Sequence, residues 1–378
     1  MNAQRWAWAE IDLGALRHNV ATLAAHIGPQ QLWAVVKANA YGHGAIECAR
    51  VALQSGVQGL CVALVQEGIA LRQSGINAPI LIMSEQPAEQ HRDIISYGLI
   101  ATLYNEATIT QFANTAHELE IMASVHVKVD SGMHRVGVQP DNAVRVVSLV
   151  ADSQWLILDG MFTHLATADV ADTQFVQQQV STFARAVEQV RALEIEVRHV
   201  HISNSSSAIR RLDAGVGCTM ERVGIALYGI PADARSNSFG AAHQLDLRPV
   251  MSVRARVSHV HRVSAGQGVS YGLKRPVEHD ATVATLPLGY ADGVPRGLWE
   301  SGSVLIGGIR RPFAGVVTMD QIMVNCTDDA VHIGDEVVLI GSQGSDVITA
   351  NEWANKLGTI GYEIVCAISA RMPRNYIN

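Results

Sequence analysis

The sequence predicts an α/β protein: a (β/α)8 barrel of the TIM type followed by a mainly β C-terminal domain. Three observations lead there. Between Trp33 and Gly229, eight short apolar runs alternate with helix-like segments, as parallel strands closed into a barrel require. No G-x-G-x-x-G follows the first run, which argues against the runner-up, an open doubly wound sheet. Beyond Pro231, short runs of period two take over, the pattern of half-buried antiparallel strands.

In order, the eight runs are LWAVVK (residues 32–37), GLCVAL (59–64), PILIM (79–83), LIATLY (99–104), SVHVKVD (124–130), ILDGMFTHL (157–165), VRHVHIS (197–203) and MERVGIALYG (220–229). Helical spacing is plainest before the seventh, where Val176, Val180, Phe183, Val187 and Val190 recur. Residues 236–249 are loop-like. Residues 251–258 alternate, and β-like runs follow at 281–290, 302–308 and 311–319. One short helix is expected at 349–358, where Thr349 and Glu352 have capping-box spacing. The expected domains are 13–235 for the barrel and 236–378 with 1–12 for the β domain.

Composition sets the class. Of 378 residues, 48% are hydrophobic and 17% charged, as in a globular protein with a large core. A net charge of -7 without basic runs gives no reason to expect nucleic acid as a partner. Five dispersed cysteines lack zinc spacing and fit a reducing compartment. The first ten residues do not read as a secretory signal, and no apolar stretch is long enough to span a membrane. A cytoplasmic location is the expectation.

Strand periodicity sorts the polar residues. His126, Lys128 and Asp130 share one face of their run, opposite Val125, Val127 and Val129. His199, His201 and Ser203 share another, opposite Arg198, Val200 and Ile202. The polar faces should point into the barrel, near the strand ends where active sites of this fold lie. The same count puts Lys37 with Trp33 and Val35, and His164 with Phe162. His126, His164, His199 and His201 with Asp130 could make a metal site, but Lys37, Lys128 and Arg222 would crowd it with cations. A site so rich in cations suits an anion. Ser203 to Ser207 can open a helix after strand seven, and Gly224 ends strand eight, where this fold commonly binds phosphate. With a lysine at strand one, these features suggest pyridoxal 5'-phosphate held as an imine.

VKANAYGHG (36–44), VKVDSGMHRVG (127–137), FTHLATAD (162–169), HISNSS (201–206), ERVGIALYG (221–229), VSYG (269–272), PLGYADG (287–293), VVTMDQ (316–321) and GYEI (361–364) occur in this order. Together they resemble the alanine racemases, two-domain enzymes of the pyridoxal-phosphate barrel type, over essentially the whole length. The resemblance implies interconversion of L- and D-alanine, with D-alanine supplied to peptidoglycan. It implies that Lys37 forms the imine. Tyr41, Ser205, Tyr362 and the backbone at Gly224 and Ile225 would hold the phosphate, with Asn204 nearby. His164 would lie against the pyridine ring, and Arg222 would face its nitrogen with His201 behind. Arg135 would bind the substrate carboxylate, oriented by a carbamylated Lys128. Tyr271, Tyr290 and Met319 would reach the active site of a partner subunit in a head-to-tail homodimer. Lys37 and Tyr271 would be the two bases, and residues 6–12 would pair with the β domain. Many relatives carry threonine at Ser131 and cysteine at Thr318. Alternatives of the same fold are an amino-acid decarboxylase and a non-catalytic cofactor carrier. The carriers are lone barrels, without the second domain seen here.

Overall fold

The computed structural model of the chain describes residues 5–213, 215–232 and 245–378. Its first strand, β1 (Ala7–Asp12), stays outside the barrel. The barrel is built from β2 (Gln31–Val35), β3 (Gly59–Val62), β4 (Ile80–Ile82), β5 (Ala101–Leu103), β6 (Ala123–Lys128), β7 (Leu156–Phe162), β8 (His199–His201) and β9 (Met220–Val223). Two parallel ladders run β4-β3-β2-β9 and β5-β6-β7-β8. Two seams join them. Ile82 N–H donates to Ile100 O at 3.0 Å, and Ile100 N–H to Ile80 O at 2.8 Å. On the other side, Thr219 N–H donates to Val200 O at 2.9 Å and Arg222 N–H to the Ser203 hydroxyl at 2.8 Å.

All eight apolar runs thus supply a barrel strand, each shorter than its run. Strands β3 and β4 are buried at every residue, because helices cover them outside and side chains fill the barrel within. The helix Gln174–Arg191 buries Val176, Phe183, Val187 and Val190, with Val180 partly covered. The first run ends early. Strand β2 stops at Val35, and Lys37 opens a helical turn instead of closing the strand.

Strand β1 runs into the helix Leu13–Ile27, whose first turn is capped by Asp12 accepting from Ala15 N–H at 2.9 Å. The same strand pairs antiparallel with β10 (Met251–Arg256). Then come β11 (His259–Val263), β12 (Ala281–Leu286), β13 (Ser303–Ile306), β14 (Ile309–Pro312), β15 (Ile322–Asn325), β16 (Glu336–Gln343), β17 (Asp346–Ile348) and β18 (Arg374–Ile377). The larger sheet runs β14-β13-β16-β10-β1-β18, with β17 on β16, and the smaller runs β11-β12-β15. Because β1 also lies parallel to β18, the chain's two ends are woven into one sheet.

Three details differ from expectation. The run at 311–319 is strand only to Pro312. Thr318 then bends the chain, its hydroxyl donating to Gln321 O at 2.8 Å and accepting from Gln321 N–H at 3.1 Å. Thr349 does cap its helix, accepting from Glu352 N–H at 3.0 Å. The Glu352 carboxylate, however, turns to Arg310 at 2.6 Å and Lys356 at 2.7 Å, so the reciprocal half of the box is replaced by ion pairs. A second helix, Gly361–Ala367, follows and carries Tyr362. The expected boundary at 235/236 and most of the loop at 236–249 lie outside the described residues.

Glu221 on β9 is buried, and its Oε2 has no partner among the described residues. Burial, opposed by the Ser203 hydroxyl, pushes its carboxyl up from 4.5 to about 7. The folded chain therefore holds this proton more tightly than the unfolded chain. The stability that results is complete below pH 4.5 and is lost as pH rises through about 7. Glu221→Gln should change little near pH 5 and stabilise by on the order of 3 kcal/mol at about pH 8. Urea unfolding at the two pH values checks this; a gain that does not grow with pH contradicts it.

Candidate active site

At the C-terminal end of β2 the backbone takes an uncommon form. From Ala38 to Tyr41 it is left-handed, with φ between 50° and 54° and no glycine. Each such residue costs about 1–2 kcal/mol, so the turn needs outside support. Glu67 supplies part of it, accepting from Ala38 N–H at 2.5 Å and from Ala63 and Leu64 N–H at 2.8 and 3.1 Å. Asn39 Oδ1 accepts from Ala45 N–H at 2.9 Å. His43 Nδ1 donates to the carbonyls of Ala40 and Tyr41, at 2.9 and 3.0 Å. Its ring stacks on Tyr228, whose hydroxyl donates to Val35 O at 3.0 Å. Both ends of the segment are thereby tied. Burial, and then the charge of Arg135, lower the pKa of the Lys37 amine.

Beside this turn the chain after β9 packs closely against Tyr41. Gly224 follows β9, and a Cβ there would run into the Tyr41 hydroxyl. Tyr41 is buried, packs edge-on to Tyr362 at 6.1 Å, and its hydroxyl bonds to no described residue. Burial raises the pKa of both phenols, so both stay protonated as donors. The Ser205 hydroxyl accepts from Gly224 N–H at 3.0 Å and Ala226 N–H at 3.2 Å, which leaves its own proton to donate. Ile225 opens the turn Ile225–Tyr228, a position whose amide has no partner within the turn. Asn204 is committed elsewhere. It caps the helix Ser205–Arg210 through Ser207 N–H at 3.0 Å and donates to Leu165 O at 3.3 Å.

Across the barrel, Arg222 is buried and held on three sides. It donates to His201 Nδ1, to Thr163 O at 3.0 Å and to His164 Nδ1 at 3.3 Å. A guanidinium has five donors, so three bonds leave two over. Burial, and then Arg222 itself, hold His164 and His201 well below the usual imidazole range, so both are neutral. His201 stacks on Phe162 at 4.7 Å and meets His126 at 2.9 Å. His126 and His201 therefore spend ring nitrogens on each other. Among the described residues no cluster of histidine, cysteine and carboxylate side chains has a metal-holding arrangement.

Lys128 also points inward, 5.2 Å from the centre of the Phe162 ring, and donates to Met83 O at 3.3 Å. Burial, followed by Arg222, Arg135 and Lys37, lowers its amine to about 7. Arg135 is exposed on the loop that Asp130 folds by accepting from Gly132 and His134 N–H, at 3.1 and 3.0 Å. Next to it, Ser131 bonds Thr163 through their hydroxyls at 2.8 Å.

The barrel mouth thus gathers Lys37, Tyr41, Lys128, His164, Ser205, Arg222, Gly224 and Tyr362. Of the second domain, Tyr362 joins them, but Tyr271, Tyr290 and Met319 do not. Tyr271 is 75% exposed, Tyr290 42% and Met319 52%, with no bond or ring contact to the barrel among the described residues. The sequence reading missed Glu67, His43 and Tyr228 as supports of the lysine turn. Tyr228 and His43 stood inside quoted motifs, but Glu67 lies in a helix whose sequence gives no signal.

A family model described as alanine racemase, N-terminal domain, matches residues 11–232, and one described as alanine racemase, C-terminal domain, matches 250–376. The chain belongs to the alanine racemase family. An alanine racemase of Halothermothrix orenii is 39% identical over 99% of this chain and 97% of its own length. One from a Nostoc species is 41% identical over 97% and 95%. The solved alanine racemase of Clostridium difficile superposes with a TM-score of 0.92 at 36% identity, covering 100% of this chain and 97% of that one. Alanine racemases depend on pyridoxal phosphate, and the residues present suit it. The unpartnered Tyr41 hydroxyl and the remaining Ser205 donor beside Gly224 suit a phosphate, the spare donors of buried Arg222 suit a ring nitrogen, and the Lys37 amine suits an aldehyde.

Proposed function

We propose that the chain interconverts L- and D-alanine, with Lys37 and Tyr271 as bases on opposite faces of the α-carbon. The observation that carries this is a lysine amine of lowered pKa at the head of a left-handed turn, whose Tyr41 lies against Gly224 beside the donor-capable Ser205 hydroxyl. When bound, pyridoxal phosphate supplies the electron sink that makes the α-proton of an amino acid removable. Tyr41, Ser205, Tyr362 and the Ile225 amide would hold its phosphate, with Gly224, whose own N–H is engaged by Ser205, allowing the close approach of Tyr41, and Asn204 shaping that corner as a cap. His164 would lie along the ring. Arg222 would donate to the ring nitrogen and leave it unprotonated, since a guanidinium does not give up its proton. Lys37, its charge disfavoured by burial and Arg135, accepts the proton on one face.

The other face needs a group this chain does not bring to its own barrel. A second copy, packed head to tail, supplies Tyr271, with Tyr290 and Met319 closing the substrate pocket. Three exposed apolar side chains on one domain support such a contact. Arg135 takes the substrate carboxylate. The reaction runs in the cytoplasm, and its D-alanine feeds peptidoglycan. Among the described residues no helix is long and apolar enough to cross a membrane.

Lys128 fits carbamylation. An amine lowered to about 7 is largely neutral at physiological pH and able to take up carbon dioxide. The product carries a negative charge facing Arg135, in place of two like charges. With 13C-bicarbonate, a carbamate carbon signal is expected that Lys128→Ala abolishes; a signal unchanged in the variant contradicts the assignment.

The function is tested by incubating protein, pyridoxal phosphate and L-alanine and following D-alanine with D-amino acid oxidase. No D-alanine overturns the reading. Carbon dioxide release in its place points to the decarboxylase alternative.

A further inference from the structure

The contact of His201 with Arg222 is one end of a longer chain. His201 Nε2 lies 2.9 Å from His126 Nδ1, and His126 Nε2 lies 3.3 Å from Asp159 Oδ2. The other carboxylate oxygen of Asp159 pairs with Arg198 at 3.2 Å. Arg222 sits at the cofactor end of the barrel. Arg198, just before β8, sits at the opposite end, with its side chain 72% exposed. The link runs the length of the barrel interior.

The backbone is shaped for it. Between Val125 (opposite Leu158) and His126 (opposite Gly160) the register of β6 on β7 slips, and Asp159 is the extra residue of a bulge. A bulge re-aims one side chain, and here it turns a carboxylate inward beneath His126. Gly160 makes the room: a Cβ there would lie 2.7 Å from the His126 ring.

Donor logic fixes every proton. Arg222 can only donate, so His201 Nδ1 accepts. A neutral His201 then carries its proton on Nε2 and donates to His126 Nδ1. His126 in turn carries its proton on Nε2 and donates to Asp159, which as a carboxylate only accepts. Burial lowers both imidazoles, so neither carries a second proton. His199 stacks on His126 at 5.9 Å without bonding to it. All the donors aim from Arg222 toward Asp159, and such aligned bonds polarise one another.

We propose that Asp159, acting through His126, is a positioning residue that sets the tautomer of His201 and thereby the strength with which Arg222 is drawn away from the cofactor ring nitrogen. This rests on the reading that Arg222 faces that nitrogen. Asp159→Asn keeps the shape but can offer N–H in place of oxygen. His126 then moves its proton to Nδ1, and His201 is left presenting an N–H to a guanidinium that also donates.

The test is 15N solid-state NMR of histidine-labelled holoenzyme, with the ratio of transamination to racemisation measured on the same samples. Wild type should show Nε2–H at both His126 and His201. Asp159→Asn should show a second tautomer at His126 and a ratio raised about threefold or more. An Nδ1–H tautomer at either histidine of the wild type overturns the proposal, even if the variant fails to fold. An unchanged ratio with changed tautomers overturns it too, by cutting the link to the cofactor. Failure of the underlying reading looks different: wild-type protein that takes up no pyridoxal phosphate.

Discussion

Mixed dimers made from equal amounts of Lys37→Ala and Tyr271→Phe chains should recover about a quarter of wild-type activity, although each parent falls by about 10²–10⁴-fold or more. In a mixed dimer with shared sites, one site carries both substitutions and the other carries neither. Random pairing makes about half the dimers mixed, and half of their sites are intact. The reason to expect sharing is geometric. Lys37 is locked at the barrel mouth, while Tyr271 is 75% exposed on the other domain. Were each site built from one chain, every site in the mixture would keep a lesion and nothing would return. Tyr271→Phe alone should also block proton exchange in one direction far more than in the other. Equal mild losses in isotope washout would count against a base on each face.

Arg222→Glu should cut racemisation by about 10²–10³-fold and raise the transamination side product. The wild-type guanidinium is buried and keeps its protons, so it would meet a ring nitrogen as a donor only. A carboxyl in the same buried place is pushed toward its protonated form and can share that proton with the ring. A protonated ring would be a stronger electron sink, which favours the transamination side product. Product analysis by chromatography decides the matter; a side-product yield that stays at the wild-type level removes the argument for Arg222 at the nitrogen.

The barrel was legible because parallel strands buried on both sides must be apolar runs, and eight of them stood out. Period two also turned His126, Lys128 and His201 inward correctly, since a strand allows only two faces. Lys37 was misplaced as a strand residue because nothing local announces the left-handed turn. Alanine favours the right-handed helix, and the turn is imposed by Glu67, His43 and Tyr228 from distant elements. Asp159 was invisible for a related reason: a one-residue slip between β6 and β7 reverses its face. The stretch VVTM looked like strand from its β-branched residues, yet Thr318 closes a turn on Gln321. The helix Gly361–Ala367 is too short for periodicity to declare.

Four consecutive residues wound against their own chirality have a catalytic meaning. They fix the backbone from which the Lys37 side chain extends. Only rotations about the bonds of the side-chain stem remain to be searched. An amine so tethered would be concentrated beside the proton that Lys37 is proposed to take.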